Sequence, residues 1–145
     1  MNGYLLDTNV ISEYSRSRPP DARVRMWVDN HQETFHLSVL TLGEIRKGTT
    51  LLPAGQKRDR LESWLETDLP GRFAGRLLPI NGDIAELWGA IAGQAQLSGI
   101  TLGIIDGLSA ATAKHHNLTV VTRDLSDFSV LGIPVINPWE ADPST

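Results

Sequence analysis

Four carboxylates in this chain have the local setting of a metal-binding site. Each follows a short apolar run or opens a helical segment; they are Asp7 in LLDTN, Glu44 in LTLGEIRKG, Asp106 in IIDGLSAATA and Asp124 in TVVTRD. In an α/β sheet, ligands gather at the carboxyl ends of the parallel strands, so acids far apart in sequence converge there. Two such charges about 4 Å apart repel by roughly 4 kcal/mol at an effective dielectric of about 20. The cluster therefore needs protons or cations, and Mg²⁺ or Mn²⁺ suits oxygen ligands.

Polar residues beside these acids can orient them, as a second layer of contacts does around metal ligands. These residues are Thr8, Asn9 and Thr122. Taken singly, each acid has a structural explanation, such as a turn, a helix start or a capping box running from Thr41 to Glu44. The conjunction of four acids in one α/β pattern favours the metal site. A further acid, Asp127, is interpreted as a turn cap and left outside the set.

The elements that must position these residues alternate between strands and helices. Strands are predicted at Tyr4–Leu6, Phe35–Leu37, Arg76–Leu78, Thr119–Val121 and Pro134–Ile136. Helical segments are predicted after Pro20, after Ser38 or Thr41, either of which can cap the helix, from Leu61 until Pro70-Gly71 ends it, from Asp83 to about Ser98 with Gly99 as the stop, and from Asp106 towards Asn117. This alternation predicts an α/β fold, a short central parallel sheet flanked by helices on both faces. We expect a single domain over 1–145, with a loosely ordered tail over about 140–145.

Composition limits the class of protein. The chain has 145 residues, 41% of them hydrophobic, which is typical of a globular domain with its own core. It has no cysteine, so neither disulfides nor thiolate metal sites are expected. No signal peptide and no apolar run of about 20 residues is present, so we expect a cytoplasmic protein without a membrane span.

Charge is distributed unevenly along the chain. Residues 1–76 hold 11 Lys or Arg and 10 Asp or Glu, whereas residues 77–145 hold 2 and 7, within a net charge of −4. Any basic surface for phosphates is therefore expected in the first half. Arg46 and Lys47, just beyond Glu44, are the candidates for phosphate contacts, although such charges more often form a solvated face.

Motifs for other chemistries are missing. The chain has no His-Glu-x-x-His zinc motif, no phosphate-binding loop with Gly-Lys-Ser/Thr, and no Gly-x-Ser-x-Gly elbow. His115 and His116 are expected at the end of a helix, where cations are favourable, and are interpreted as surface residues. The metal site is thus the chemistry that the motifs favour.

These motifs, in this order, resemble the PIN-domain ribonucleases, specifically the VapC-type toxins of bacterial toxin–antitoxin pairs and their FitB-like subgroup. The similar segments are LLDTNVISE, LSVLTLGEIRKG, DGLSAATAKHHNLTVVTRD and INPWE. The resemblance implies metal-binding roles for Asp7, Glu44, Asp106 and Asp124, with Asp7 and Asp106 the surest. It also implies Mg²⁺- or Mn²⁺-dependent cleavage of RNA by an activated water, leaving 3′-hydroxyl and 5′-phosphate ends. The partners it implies are a small antitoxin, whose carboxyl-terminal segment lies across the active-site groove, and a second copy of the chain.

Three other classes of protein are alternatives to a PIN-domain ribonuclease. A phosphoacceptor receiver domain needs an acidic pair after an early strand and a later Lys, and neither is present. A haloacid-dehalogenase-type phosphotransferase needs a second Asp two residues after its nucleophile, where this chain has Asn9. The remaining alternative is a noncatalytic PIN-like module that binds RNA or protein.

Overall fold

The computed structural model describes residues 3–15, 18–31 and 34–141. Its centre is a sheet of short strands, which together hold 14 residues. The strands are β1 Tyr4–Leu6, β2 Phe35–Ser38, β3 Leu77–Leu78, β4 Thr119–Val121 and β5 Val135–Ile136. All five predicted strands are therefore present, with bounds that differ by at most one residue.

The sheet is parallel throughout, with the strand order β3-β2-β1-β4-β5. The order runs outward from β1 on both sides, since β1 pairs with β2 through Tyr4 and Phe35 and with β4 through Tyr4 and Thr119. The carboxyl ends of β1 and β4 thus flank the point where the strand order reverses. In open α/β sheets this is the position where ligands bind.

Helices occupy most of the remaining chain. They are α1 Thr8–Ser15, α2 Ala22–Asp29, α3 Val39–Thr50, α4 Gln56–Ser63, a π-helical segment Trp64–Asp68, α5 Leu69–Arg72, α6 Gly82–Leu97, α7 Ile104–His115 and α8 Leu125–Ser129. None of the helices in the described part of the chain is long and apolar enough to cross a membrane.

Alternation along the strands divides the core between the two faces of the sheet. Leu6 and Val121 lie in one buried cluster with side chains from α1, α2, α3, the π-helical segment and α5. Their neighbours Leu5 and Val120 lie in a second cluster with α7 and Phe128 of α8. Helices therefore cover both faces, as the sequence predicts.

The predicted capping box at the start of α3 is wrong. The helix begins earlier, at Val39, and Ser38 caps it by accepting a 3.1 Å hydrogen bond from the amide of Leu40. Thr41 and Glu44 consequently lie inside the helix. Serine at the end of a strand serves equally well as a helix cap, and this position displaces both residues from capping to other contacts.

The predicted helix end at Pro70-Gly71 is also wrong. The π-helical segment Trp64–Asp68 widens the helix, and the amide of Leu69 bonds back to the carbonyl of Trp64. The hydrogen-bond ladder restarts at α5, so Pro70 falls in a first helical turn, where its missing N–H costs little. The helical path therefore continues to Arg72.

Two other helix ends follow the prediction. Gly99 has φ +74° just after α6, and Asn117 has φ +56° just after α7. Left-handed backbone of this kind commonly ends a helix, and glycine and asparagine adopt it most readily. The α6 start differs slightly, since Asn81 caps the helix by accepting from the amide of Ile84.

Candidate active site

Asp7 lies directly after β1, where sheet and helix both hold it. Its backbone amide donates to the carbonyl of Val121 on β4 at 2.9 Å, so the residue sits at the switch point of the sheet. One carboxylate oxygen, Oδ1, accepts a 2.8 Å hydrogen bond from the amide of Thr8. The other, Oδ2, accepts a 2.8 Å bond from the hydroxyl of Thr122. Both oxygens are thereby fixed in orientation.

Glu44 is joined to Asp7 through Thr8. The Thr8 hydroxyl donates a 2.6 Å hydrogen bond to Glu44 Oε1 on α3. The Thr41 hydroxyl, nearly fully buried, lies 3.2 Å from that of Thr8. A hydroxyl has one proton, and because Thr8 uses its own on Glu44, Thr41 is the donor in this second contact. Sequence reasoning missed Thr41 in this role because a helix cap explained it equally well.

Asp124 is joined to Asp7 on the opposite side. Asn9 donates through Nδ2 to Thr122 Oγ1 at 3.2 Å and to Asp124 Oδ2 at 3.3 Å. The Asp124 amide also donates to Thr122 Oγ1, at 3.0 Å. Thr122 is completely buried, so this small network links β1, α1 and the segment after β4. The three polar residues singled out from the sequence all contact the acids.

Asp106 reaches the same neighbourhood from α7, in whose first turn it lies. Burial raises the pKa of Asp106 above its ordinary value, and the charges of Asp127, Glu44 and Asp124 raise it further. Asp127, on α8, is the largest of these charge effects. Sequence analysis interprets Asp127 as a turn cap, and the signal that could have placed it at the site is its position three residues after Asp124.

The pKa of Asp7 is raised as well. Burial is the main cause, the hydrogen bonds from Thr122 and Thr8 work in the opposite direction, and the charges of Glu44 and Asp106 raise the pKa again. Each acid of the set therefore acts electrostatically on at least one other. The structure brings Asp7, Glu44, Asp106 and Asp124 into one electrostatic cluster, although their role as metal ligands stays a prediction.

The four carboxylates suit a hard cation that keeps several of its bound waters. Within residues 3–15, 18–31 and 34–141, no three His, Cys, Asp or Glu side chains are close enough to enclose a metal ion. Mg²⁺ in proteins usually keeps several waters and is bound by one or two carboxylates together with substrate phosphates, so a closed cage is not required. Carboxylates whose charged forms are disfavoured by burial and repulsion fit such an ion, because its charge offsets both.

The predicted phosphate contacts lie further along α3. Arg46 forms a 2.9 Å ion pair with Glu66 of the π-helical segment. Lys47 is exposed. Part of the charge of Arg46 is thus balanced within the chain, and the phosphate roles of both residues stay predictions.

A cavity of about 520 Å³ lies on the other side of α1 from the acids. Apolar side chains from β1, α1, the π-helical segment and α5 line it, among them Leu6, Val10 and Leu69, together with the charged Asp68, Arg72 and Arg76. The Tyr14 hydroxyl is buried there without a hydrogen-bond partner in the described part of the chain. Burial raises the pKa of Tyr14 to about 12, so the hydroxyl remains a donor.

Comparisons with known proteins all indicate the same family. Residues 4–133 match the PIN domain family. The chain is 42% identical over 137 residues to the VapC ribonuclease Y4jK of Sinorhizobium fredii, covering 94% of this chain and 97% of the relative. It is 43% identical over 136 residues to the toxin FitB of Neisseria gonorrhoeae, covering 93% and 97%.

Solved structures of similar chains agree with the PIN domain match. The crystal structure of FitAcB from Neisseria gonorrhoeae contains a chain that superposes with a TM-score of 0.88 at 42% identity, over 95% of this chain and 99% of that one. A toxin–antitoxin complex from Klebsiella pneumoniae contains one with a TM-score of 0.71 at 26% identity, over 96% and 100%.

Proposed function

Because this chain belongs to the PIN-domain family, we propose that it is the toxin of a toxin–antitoxin pair and acts as a metal-dependent endoribonuclease. The observation that carries the proposal is the hydrogen-bonded network that links Asp7 to Glu44 through Thr8 and to Asp124 through Thr122 and Asn9. It lies at the switch point of the sheet, in a chain 42% identical to a VapC ribonuclease. RNA as the substrate also leads us to infer a cytoplasmic location.

Asp7 and Asp106 are proposed as the principal holders of Mg²⁺ or Mn²⁺, with Glu44 and Asp124 assisting directly or through water. Such an ion, when bound, supplies a water of lowered pKa and positive charge beside the phosphodiester. The chain's own residues orient the ligands: Thr8 and Thr122 fix the oxygens of Asp7, and Thr8 also holds Glu44. Carboxylates fixed in this way lose little freedom when an ion binds, which favours binding.

Hydrolysis by water requires no covalent nucleophile from the protein. The acids would accept protons beside the reacting phosphate, and the Thr122 and Thr41 side chains that contact this network are buried. The resemblance to the PIN-domain ribonucleases leads us to expect cleavage within RNA strands that leaves 3′-hydroxyl and 5′-phosphate ends.

The antitoxin is proposed to place a segment along the groove that includes the cavity beside α1. The apolar side chains of Leu6, Val10 and Leu69 in this cavity favour apolar side chains of a partner. The toxin–antitoxin complex among the structural relatives supports a partner of this class.

A second copy of the chain is the other proposed partner. Helix α6 has no Lys or Arg, and it exposes Ala85, Gly89 and Gly93. Leu97 at its end is 83% exposed and Ile104 of α7 is 64% exposed. Exposed apolar surface of this kind favours association between chains. Light scattering at micromolar concentration tests the dimer, and a monomer there contradicts it.

The test of the enzymatic proposal uses purified chain and total RNA. We expect new RNA ends in the presence of Mg²⁺ or Mn²⁺ and none with a chelator, and mapping these ends identifies the substrate and the cleaved bond. RNA binding without cleavage under every metal condition would instead support the noncatalytic module. Neither binding nor cleavage overturns the proposal altogether.

A further inference from the structure

Arg123 has an unusual position between the acids and the end of the chain. Its guanidinium stacks on the indole ring of Trp139, with the central carbon 4.0 Å from the ring centroid. Its backbone lies between Thr122 and Asp124, and its amide donates to Asn9 Oδ1 at 3.4 Å. The residue is exposed. One cation is therefore anchored to the same network that orients the acids.

Trp139 is itself held from several directions. It packs against the core cluster that contains Leu6, and its indole nitrogen is buried. Its backbone amide donates to Asn137 Oδ1 at 2.9 Å, and its carbonyl accepts a 3.2 Å bond from Arg23 Nη1 on α2. The ring is thus a fixed platform for Arg123. It lies beyond residue 133, where the match to the PIN domain family ends.

Stacking restricts the guanidinium but does not use its hydrogen bonds. The contact with the ring uses the charge of the guanidinium and none of its five N–H donors. Across the described ranges, Arg123 forms no ion pair with a carboxylate. Its edge is therefore open to an anion, and two parallel N–H groups match two oxygens of a phosphate.

We propose that Arg123, held by Trp139, binds a phosphate of the RNA strand beside the acid cluster. This deepens the proposed function and rests on it. An anionic strand must approach several carboxylates, and a cation fixed at their edge offsets part of that repulsion. A phosphate held there also sets the position of its neighbour along the strand relative to Asp7. Arg123 lies outside the basic first half of the sequence, which is why charge counting passes over it.

The experiment measures binding of a fluorescent single-stranded oligoribonucleotide in the Asp7→Asn background, where cleavage is not expected. Arg123→Gln should weaken binding by roughly 10-fold, the size of one good bidentate contact. It should also lower the slope of log affinity against log salt by about 0.7, the value for one phosphate of a single strand. Lys57→Gln, which removes an equal charge from the exposed surface of α4, is the matched control. It should change the affinity and the salt slope less than Arg123→Gln does.

Two further variants separate stacking from charge. Arg123→Lys should keep most of the salt slope but weaken binding, because an ammonium is a point charge without the planar fork. Trp139→Leu should weaken binding with Arg123 intact, whereas Trp139→Phe keeps an aromatic face and should bind more tightly than Trp139→Leu. Thermal melting of each variant identifies any loss of folding. If Trp139→Leu does not fold, RNA binding by Trp139→Phe is compared with that of the parent chain.

The outcomes distinguish the two proposals. If the parent chain binds RNA and Arg123→Gln matches Lys57→Gln in affinity and salt slope, the Arg123 inference is overturned and the ribonuclease proposal stands. The inference also fails if Arg123→Gln changes only turnover in the Asp7-containing enzyme, with the Michaelis constant unaltered. If the parent chain neither binds nor cleaves RNA, the proposed function itself fails.

Discussion

The hydroxyl of Thr8 bonds to Glu44 at 2.6 Å and thereby joins the first residue of α1 to the second turn of α3. The Thr8 amide bonds to Asp7 at the same time, so one residue orients two acids from different elements. Such a residue is expected to affect catalysis without touching the substrate.

Thr8→Val keeps the shape of the side chain but removes the hydroxyl. We expect turnover to fall by roughly 10- to 100-fold, the usual effect of losing an outer contact to a metal ligand. Thr8→Ser restores a hydroxyl and should recover most of the activity. Single-turnover cleavage at saturating Mn²⁺ provides the measurement, and equal rates for Thr8→Val and the parent chain would contradict the role of this contact.

Asp7→Asn should abolish cleavage while the fold is preserved. The change keeps an acceptor for the Thr8 amide but removes the charge, so the loss should exceed the roughly 100-fold effect of an outer contact. Circular dichroism and the melting temperature serve as controls for folding. Unchanged activity in an assay that a chelator still inhibits would count against the assignment of Asp7.

Asp106→Asn should stabilise the protein in metal-free buffer near neutral pH. Because the pKa of Asp106 is raised in the folded chain above its ordinary value of 3.8, the folded state binds more protons than the unfolded state just above that pH. Stability from this group is therefore full below pH 3.8 and is lost as pH rises through the folded pKa.

The neutral asparagine lacks this loss, so the variant should melt at a higher temperature than the parent chain near pH 7, and the difference should vanish near pH 3. Added Mn²⁺ should reverse the order by stabilising the parent chain more than the variant. A pH-independent difference between the two chains would show that the charge of Asp106 is not the cause.

Gly107→Ala should destabilise the fold. Gly107 is buried on α7, and an added Cβ would lie 2.9 Å from two atoms of the Trp88 ring on α6. Overpacking of this kind typically costs about 1–3 kcal/mol. Urea unfolding measures the change.

Gly93→Ala on α6 is the matched control, since its Cβ would meet nothing within 4 Å. It should stabilise the helix by roughly 0.5–1 kcal/mol, because alanine loses less backbone entropy than glycine. If both variants change stability in the same direction, the close approach of α6 and α7 at Gly107 is not what limits this position.

Most of the fold could be predicted because short apolar runs, glycine and asparagine stops and alternating periods each have a local cause. Two features could not. Ser38 and Thr41 are both competent caps, and the choice depends on where β2 ends. The π-helical segment Trp64–Asp68 has no local sequence signal, and it alone allows Pro70 to follow in a helix.

The positions of the candidate acids could also be predicted in part, because the strand pattern indicates which residues come together. Acids placed after strands converge by topology, so Asp7 and Asp124 followed from the pattern. The contributions of Thr41, Asp127 and Arg123 depend on side-chain contacts between elements, and each has an equally good local explanation. Sequence pattern therefore identified the elements that carry the site but not every residue within it.

The pairing of β1 with β4 has a consequence during synthesis. Asp7 bonds to residues more than 110 positions later, so nothing near the amino-terminus can become a working nuclease until Val121 and Thr122 have left the ribosome. A nascent chain that has not yet reached β4 therefore lacks both hydrogen bonds that hold Asp7 in place.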